Sequence, residues 1–398
     1  MLLERFLKYV KIDTMSSEES KETPSTKKQF NLATILVQEL LALGLHDAKV
    51  DEKCIVTATL PGEGGETIGF IAHMDTIPGF SGTNVNPQII NNYDGGDINL
   101  KNNVTLSIKK FPFMAKLIGK TLITTDGTTV LGADDKAGVA EIMEMLSFYH
   151  DNPTVKHVTI KVAFTPDEEI GGGIDSFNVK AFGADFAYTV DGGLYQEINY
   201  ENFNAASALV KIKGLDIHPG SAKGQMVNAA SIGCEFEMML PELVKPMYTE
   251  GYEGFNHLCD IRGSVTECYL DYILRNHDKV KLEAQKAQFY EIERTLNQKY
   301  GANTVQVEIA DSYSNMYEIL KKDPKSITHA KERMMRIGIM PITSPIRGGT
   351  DGAKLTQMGL NTPNLGTGGY NCHGPYEFSC LEEMQKVVDI LIEIAKIN

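Results

Sequence analysis

Val158-Thr-Ile-Lys-Val-Ala-Phe-Thr165 is an almost continuous apolar stretch that leads directly into Pro166-Asp-Glu168-Glu169-Ile-Gly-Gly-Gly. Two other stretches, Thr67 to Ala72 and Phe186 to Val190, have the same apolar and β-branched character. Runs of this kind are typical of strands in a sheet that is covered by helices on both faces. The sequence therefore predicts an α/β domain.

The order of the predicted elements indicates two domains, one inserted into the other. Residues 1–206 are predicted to form the first part of the α/β domain, with helices at Met1 to Val10 and Ser25 to Leu43. Residues 207–316 change to a pattern of two helices and several strands, which is typical of an α+β unit. Residues 317–398 return to the first domain, because the chemistry described below needs side chains from both ends of the chain.

Composition excludes several classes of partner. The 398 residues carry a net charge of -14 and contain no block of Lys and Arg that could follow a phosphate backbone, so nucleic acid is not expected to bind. The first ten residues form an amphipathic pattern and not the uninterrupted apolar stretch of a signal peptide, and no run is long enough to cross a membrane. The six Cys form no Cys-x-x-Cys pair and no dense framework. We therefore expect a cytoplasmic protein with no membrane partner.

Two motifs place acidic side chains at the end of a predicted strand and at the start of a predicted helix. His73-Met-Asp75 follows a strand, where a period of two directs both side chains to the same side, although a His-x-acid triplet alone is weak evidence. Gly132-Ala-Asp134-Asp135-Lys136-Ala-Gly138 lies at the entry to a helix, where an Asp is ordinarily an N-cap. Two adjacent Asp between glycines exceed what a cap needs, and a carboxylate in such a turn can bridge two cations.

Three more motifs add potential ligands. Glu168 and Glu169 follow the buried strand at the end where α/β sheets build their sites; the alternative is a solvated acidic turn. Of two neighbouring carboxylates, one can bind a metal while the other accepts a proton from water. Asp191 ends another apolar strand, and His373 lies in a Gly-rich loop far downstream, although each alone is more often structural.

Taken together, these motifs supply two imidazoles and three carboxylates, which suffice for two cations if one carboxylate bridges them. The mixed nitrogen and oxygen set suits zinc or a harder divalent ion. The five candidate metal ligands are His73, Asp134, Glu169, Asp191 and His373.

The ordered series of motifs resembles the dinuclear zinc exopeptidase family. The residues that carry the resemblance are His73-x-Asp75, Gly-Ala-Asp134-Asp135-Lys-Ala-Gly, Thr-Pro-Asp-Glu168-Glu169, Val-Asp191-Gly-Gly, His218-Pro-Gly, Pro-Ile-Arg347-Gly-Gly-Thr-Asp351-Gly and Gly-Gly-Tyr-x-x-His373. The resemblance implies a zinc-binding α/β catalytic domain with an inserted α+β lid or dimerisation domain. It also implies an aminopeptidase that removes the N-terminal residue from tripeptides.

The resemblance assigns roles to individual residues. It implies that His73 and Asp191 hold one zinc ion, that Glu169 and His373 hold the other, and that Asp134 bridges them. Asp75 is then the carboxylate that orients His73, and Glu168 is the general base. A cis peptide bond between Asp134 and Asp135 is also implied.

Three residues outside this set are candidates for substrate contacts. His218 could stabilise the oxyanion of the reacting carbonyl, or it is a histidine of an ordinary turn. Arg275 and Arg347 could bind a peptide carboxylate, whereas most Arg residues pair locally; the Gly-rich surroundings favour Arg347. The expected partners are short peptides and a second copy of the chain in a homodimer.

Other activities share this pattern. A dipeptidase, a carboxypeptidase or an amide deacylase would use the same ligands and differ only in the substrate pocket. A non-catalytic binding or assembly protein is disfavoured, because the base and every ligand are present. Serine or cysteine hydrolysis is disfavoured as well, because no Gly-x-Ser-x-Gly motif occurs.

Overall fold

A computed structural model describes residues 1–397 of the chain. The helices are α1 Leu2–Val10, α2 Gln29–Ala42, α3 Ala133–Asp151, α4 Val179–Phe182, α5 Ala229–Met239, α6 Lys279–Tyr300, α7 Tyr317–Leu320, α8 Lys325–Arg336, α9 Asp351–Gln357 and α10 Leu381–Ala395. The strands are β1 Lys49–Val50, β2 Val56–Leu60, β3 Thr67–His73, β4 Gln88–Ile90, β5 Ile98–Asn99, β6 Thr105–Leu106, β7 Leu122–Thr124, β8 Thr159–Thr165, β9 Phe186–Gly192, β10 Ile198–Asn199, β11 Asn204–Lys213, β12 Phe255–Gly263, β13 Glu267–Asn276, β14 Val305–Tyr313, β15 Asn364–Gly366, β16 Gly369–Tyr370 and β17 Phe378–Cys380.

The largest sheet has seven strands in the order β1-β2-β8-β3-β9-β15-β10. Its centre is parallel, since β3 pairs with both β8 and β9 in parallel and β15 pairs with β9 in parallel. The outer strands β2 and β10 run antiparallel to their neighbours. The parallel centre brings the carboxyl ends of β3, β8 and β9 to the same edge of the sheet, which is where α/β folds bind ligands.

Both faces of this sheet are buried, as the apolar runs predict. Ile71 and Ala163 belong to one buried cluster together with Phe177 and Leu355. Phe70 precedes Ile71 and therefore points to the opposite face, where its ring stacks on Tyr188. The fold class of this domain, α/β, is confirmed.

A smaller antiparallel sheet, β16-β17-β7-β4, joins the end of the chain to the segment before α3. Strand β17 pairs with β7, so that Phe378 lies opposite Thr124. Phe378 is fully buried and packs in a cluster with Leu122 and Met114. This sheet fixes the loop between β16 and β17, which contains His373.

The second compact unit contains an antiparallel sheet in the order β12-β13-β11-β14, against which α5 and α6 pack. Its core is built by the alternate residues of β11 and β13, for example Val210 and Leu270, together with Phe236 of α5 and Phe289 of α6. This is the α+β architecture expected for the middle of the chain.

The chain divides into two compact units. One comprises Met1–Tyr200, Glu318–Ser344 and Thr350–Asn398, and the other comprises Glu201–Tyr317 and Pro345–Gly349. The lid or dimerisation role of the second unit stays a prediction. Within residues 1–397, every helix is too short or too polar to span a bilayer.

Candidate metal centre

His73 is the last residue of β3. Its imidazole is held by Asp75 at Nδ1 and faces two other carboxylates at Nε2. The ring is 2% exposed. Its Nδ1 lies 3.2 Å from the carbonyl oxygen of Asp75 and 3.3 Å from Asp75 Oδ1. Its Nε2 lies 3.0 Å from Asp134 Oδ1 and 3.6 Å from Asp191 Oδ1. Contacts at Nδ1 orient the ring so that Nε2 faces the two carboxylates, which is the usual arrangement of a metal-binding histidine.

Asp134 lies where the chain enters α3, and its two oxygens face different histidines. Oδ1 faces His73, whereas Oδ2 is 3.1 Å from His373 Nε2. The backbone of Asp134 and Asp135 departs from helical geometry, and the peptide bond between them is cis, so this prediction is confirmed. A carboxylate whose oxygens point to two separate groups is suited to bridge two cations.

Glu168 and Glu169 form a short 3-10 turn after β8, and they face the site differently. Glu169 Oε2 lies 3.0 Å from His373 Nε2, while Glu169 Oε1 is buried and has no hydrogen-bond partner within residues 1–397. Glu168 Oε2 is 4.0 Å from His73 Nε2. Asp75 holds the turn, because its Oδ1 accepts from Glu168 N at 3.0 Å and its Oδ2 accepts from Glu169 N at 3.3 Å.

The structure brings the five candidate ligands into two groups that share Asp134. One group is His73, Asp134 and Asp191, and the other is Asp134, Glu169 and His373. Zinc binds nitrogen and oxygen at about 2.0–2.2 Å, so two ligand atoms of a tetrahedral site lie about 3.3–3.6 Å apart. The separations described above, from 3.0 to 3.6 Å, are close to this range. Each group therefore fits a divalent cation, and the unpartnered Glu169 Oε1 supports the same conclusion.

The electrostatics of the cluster also favour cations. Burial raises the pKa of Asp191 to about 7 and that of Glu168 well above its usual value. Although burial opposes it, the carboxylates of Asp191 and Asp134 hold the pKa of His73 well above its usual value. Hydrogen bonds with Asp134 and Glu169 raise the pKa of His373 to about 10. Crowded carboxylates thus draw protons into this site, and divalent cations would replace those protons.

The carboxylates that hold the turns of the candidate ligands were not predicted from the sequence. Glu377, 1% exposed, accepts from the backbone N–H groups of Leu131, Gly132 and Asp134 at 2.7–3.0 Å. Asp135 accepts from His73 N at 3.2 Å. Glu377 lies in no predicted motif, and its only signal in the sequence is its position four residues after His373.

A second set of hydrogen bonds, to Asp167, fixes the turn that carries Glu168. The carboxylate of Asp167 accepts hydrogen bonds from Ser25 N, Ser25 Oγ and Gln29 Nε2 at 2.5–2.7 Å. Gln29 is fully buried, and its Oε1 in turn accepts from Asp167 N at 3.3 Å. Asp167 has a φ of 56°, a left-handed conformation that these contacts stabilise.

The three substrate-contact candidates all lie in the second unit. His218 is exposed, and its Nδ1 accepts from Gly220 N at 3.2 Å. Arg275 donates to the carbonyl oxygens of Ala206 and Leu274. Their roles in binding substrate stay predictions.

Arg347 is more strongly engaged than the sequence indicates. It donates to the carbonyl oxygens of Gly251 and Glu253 at 2.9 and 2.7 Å and to Thr249 Oγ1 at 2.8 Å. Its guanidinium also lies 5.1 Å from the ring centre of Phe203. Among the described residues, three of its five N–H groups thus have protein acceptors, which leaves two for another ligand.

Comparison with known proteins agrees with this geometry. The family model described as peptidase family M20/M25/M40 matches residues 129–397. A protein named peptidase T from Alkaliphilus oremlandii is 52% identical over 403 residues, which cover 100% of this chain and 98% of that protein. The chain is therefore a metallopeptidase, as its relatives show.

Two solved structures share the fold. A tripeptidase from Staphylococcus aureus has a TM-score of 0.79 at 24% identity, with 99% of this chain and 97% of that chain covered. An aminopeptidase, PepT, from Bacillus cereus has a TM-score of 0.78 at 24% identity, with the same coverage. The matched family model and the full-length relative together establish that the chain belongs to peptidase family M20/M25/M40.

Proposed function

We propose that the chain is a dinuclear zinc aminopeptidase that removes the N-terminal residue from tripeptides. The observation that carries the proposal is the pair of ligand groups that share Asp134, with Glu168 Oε2 4.0 Å from His73 Nε2 but Glu168 part of neither group. The name of the full-length relative at 52% identity, peptidase T, supports the same activity. The tripeptidase and aminopeptidase of similar fold agree with it.

Each side chain of the site has a separate role in the proposed hydrolysis. Bound divalent ions would supply a water of lowered pKa and polarise the peptide carbonyl. Glu168 accepts the proton of the attacking water and passes it to the leaving amine. Asp75 keeps Glu168 in place by accepting its backbone N–H, and it orients His73 at the same time. His218 is proposed to stabilise the oxyanion.

Selection for tripeptides requires that both ends of the peptide be recognised. Extended residues span about 3.3–3.6 Å each, so one residue more or less displaces the C-terminal carboxylate by far more than a hydrogen bond tolerates. Arg347 is the proposed carboxylate clamp, with Arg275 as the second candidate. The two N–H groups that Arg347 retains are enough for a carboxylate.

The main alternative is another amide-bond hydrolase on the same scaffold, such as a dipeptidase, a carboxypeptidase or an amide deacylase. These activities share the ligand groups and differ in which end of the substrate is recognised. A binding or assembly protein without activity is disfavoured by the intact ligand groups and by Glu168.

The test is hydrolysis of matched di-, tri- and tetrapeptides by the enzyme before and after metal removal, and after zinc is restored. We expect the tripeptide to be cleaved fastest, at its first peptide bond, and only when metal is present. An N-acetylated tripeptide is the matched control, because it lacks the free N-terminus. Equal rates for the three lengths would contradict the tripeptidase assignment, and cleavage of the acetylated peptide would favour a deacylase or a carboxypeptidase.

The proposed setting is the cytoplasm, and the proposed assembly is a homodimer. The six cysteines form no disulfide in the described part of the chain, which suits a reducing compartment. Sedimentation velocity of the purified enzyme would decide the assembly state.

A further inference from the structure

One buried carboxylate holds the turn that leads into α3. Glu377 Oε2 accepts from Leu131 N at 2.7 Å and from Gly132 N at 2.9 Å, and its Oε1 accepts from Asp134 N at 3.0 Å. All three N–H groups belong to the four residues that end at Asp134, the side chain shared by the two ligand groups.

The turn has few other ways to satisfy these groups. Gly132 has a φ of 76°, and Asp134 and Asp135 have non-helical backbone angles, so these amides lie outside the regular pattern of α3. Unpaired buried N–H groups are costly, and the side chain of Glu377 satisfies all three of these. Glu377 therefore largely determines the path of the backbone through Asp134.

The same residue is fixed to the second ligand loop. Glu377 follows His373 by four residues and immediately precedes β17, which pairs with β7. Its own backbone N–H donates to the carbonyl oxygen of Gly374 at 3.2 Å. One side chain thus connects the loop of His373 with the turn of Asp134, and the two imidazole–carboxylate distances depend on that connection.

We propose that Glu377 is a positioning residue for the metal pair: by holding the turn of Asp134 against the loop of His373, it sets the affinity of both cation positions. This inference rests on the proposed ligand set. The side chain of Glu377 accepts hydrogen bonds from backbone N–H groups, and Glu377 takes no part in proton transfer in the proposed reaction. It acts through the backbone of Asp134.

The test is the zinc affinity of Glu377→Gln, measured with a competing chromophoric chelator and by activity in zinc buffers. The isosteric amide turns an N–H₂ group toward at least one backbone N–H, so at least one of the three hydrogen bonds is lost. We expect the half-saturating zinc concentration to rise about 10–100-fold, as for other residues that orient metal ligands. At saturating zinc, kcat and KM should return close to the wild-type values.

Glu382→Gln is the matched control. Glu382 also accepts a backbone N–H through its carboxylate, that of Thr121, but Thr121 belongs to neither the turn of Asp134 nor the loop of His373. Its zinc affinity should equal that of the wild type. If Glu377→Gln does not fold, Glu377→Asp retains the charge on a shorter side chain and is expected to show the same loss of zinc affinity.

Each outcome decides the matter. Unchanged zinc affinity in the Glu377 variant, an equal loss in both variants, or a loss of kcat that excess zinc does not reverse would overturn the inference. Because the chelator assay needs no peptide, it distinguishes a failure of the proposed function from a failure of the inference about Glu377. If the wild type fails to bind two zinc ions, the proposed function fails. If the wild type binds two and Glu377→Gln binds them equally tightly, only the inference about Glu377 fails.

Discussion

Replacement of Glu168 by Gln tests the division of labour between the two adjacent glutamates. Each ligand group is complete without Glu168, so Glu168→Gln should retain two metal ions per chain. The amide has the same shape but cannot accept the water proton. Loss of a general base lowers the rate by about 10²–10⁴-fold, which corresponds to about 2.7–5.4 kcal/mol in the activation free energy. We expect kcat on a tripeptide to fall within this range while KM changes little.

Glu169→Gln is the matched partner of this variant. Glu169 belongs to the second group and lies 3.0 Å from His373, so its replacement should reduce the metal content toward one ion per chain. The measurements are kcat and KM on a tripeptide, with metal content determined by mass spectrometry. Loss of metal in Glu168→Gln, or a rate above about a tenth of the wild-type rate, would refute the role of Glu168 as the general base.

Three further variants test other parts of the site. His218→Ala should lower kcat about 10²-fold with the metal content unchanged if His218 stabilises the oxyanion; full activity would make it only the cap of its own turn. Arg347→Ala should abolish the preference for tripeptides over di- and tetrapeptides, yet it should alter little the rate on a tripeptide amide, and an unchanged preference excludes the clamp. Burial raises the pKa of Glu141, whose two oxygens are buried without hydrogen-bond partners in the described part of the chain, so the stability that its protonated form contributes is present below about pH 4.5 and is lost as the pH rises. With a chelator present to remove metal, the free energy of unfolding of Glu141→Gln should therefore rise relative to that of the wild type by up to about 1.4 kcal/mol for each pH unit above about 4.5. Parallel plots of unfolding free energy against pH for the two proteins would contradict this.

The apolar strands were predictable from the sequence because their signal is local. Thr67 to Ala72 was expected as a strand and is observed as Thr67–His73, and the expected strand Val158 to Thr165 is observed as Thr159–Thr165. Since the parallel strands end at one edge, the sequence also indicates that His73, Glu169 and Asp191 come close together. The observed ligand groups have that arrangement.

Two features could not be predicted, for physical reasons. Strand Phe255–Gly263 is at the edge of its sheet and is exposed along its second half, so it lacks the alternation that reveals a half-buried strand. Glu377 acts on backbone N–H groups more than 240 residues earlier in the chain. Backbone donors are present at every residue except proline, so nothing in the sequence identifies those that need a carboxylate.

The loop between β16 and β17 has a consequence for the time at which the enzyme becomes active. His373 and Glu377 contact Asp134, which precedes them by 239 and 243 residues and is therefore synthesised much earlier. A nascent chain that stops before residue 373 has one ligand group without its imidazole and the turn of Asp134 without its acceptor. We therefore expect peptide hydrolysis to begin only once residues 373–377 have been synthesised and have folded against the turn of Asp134.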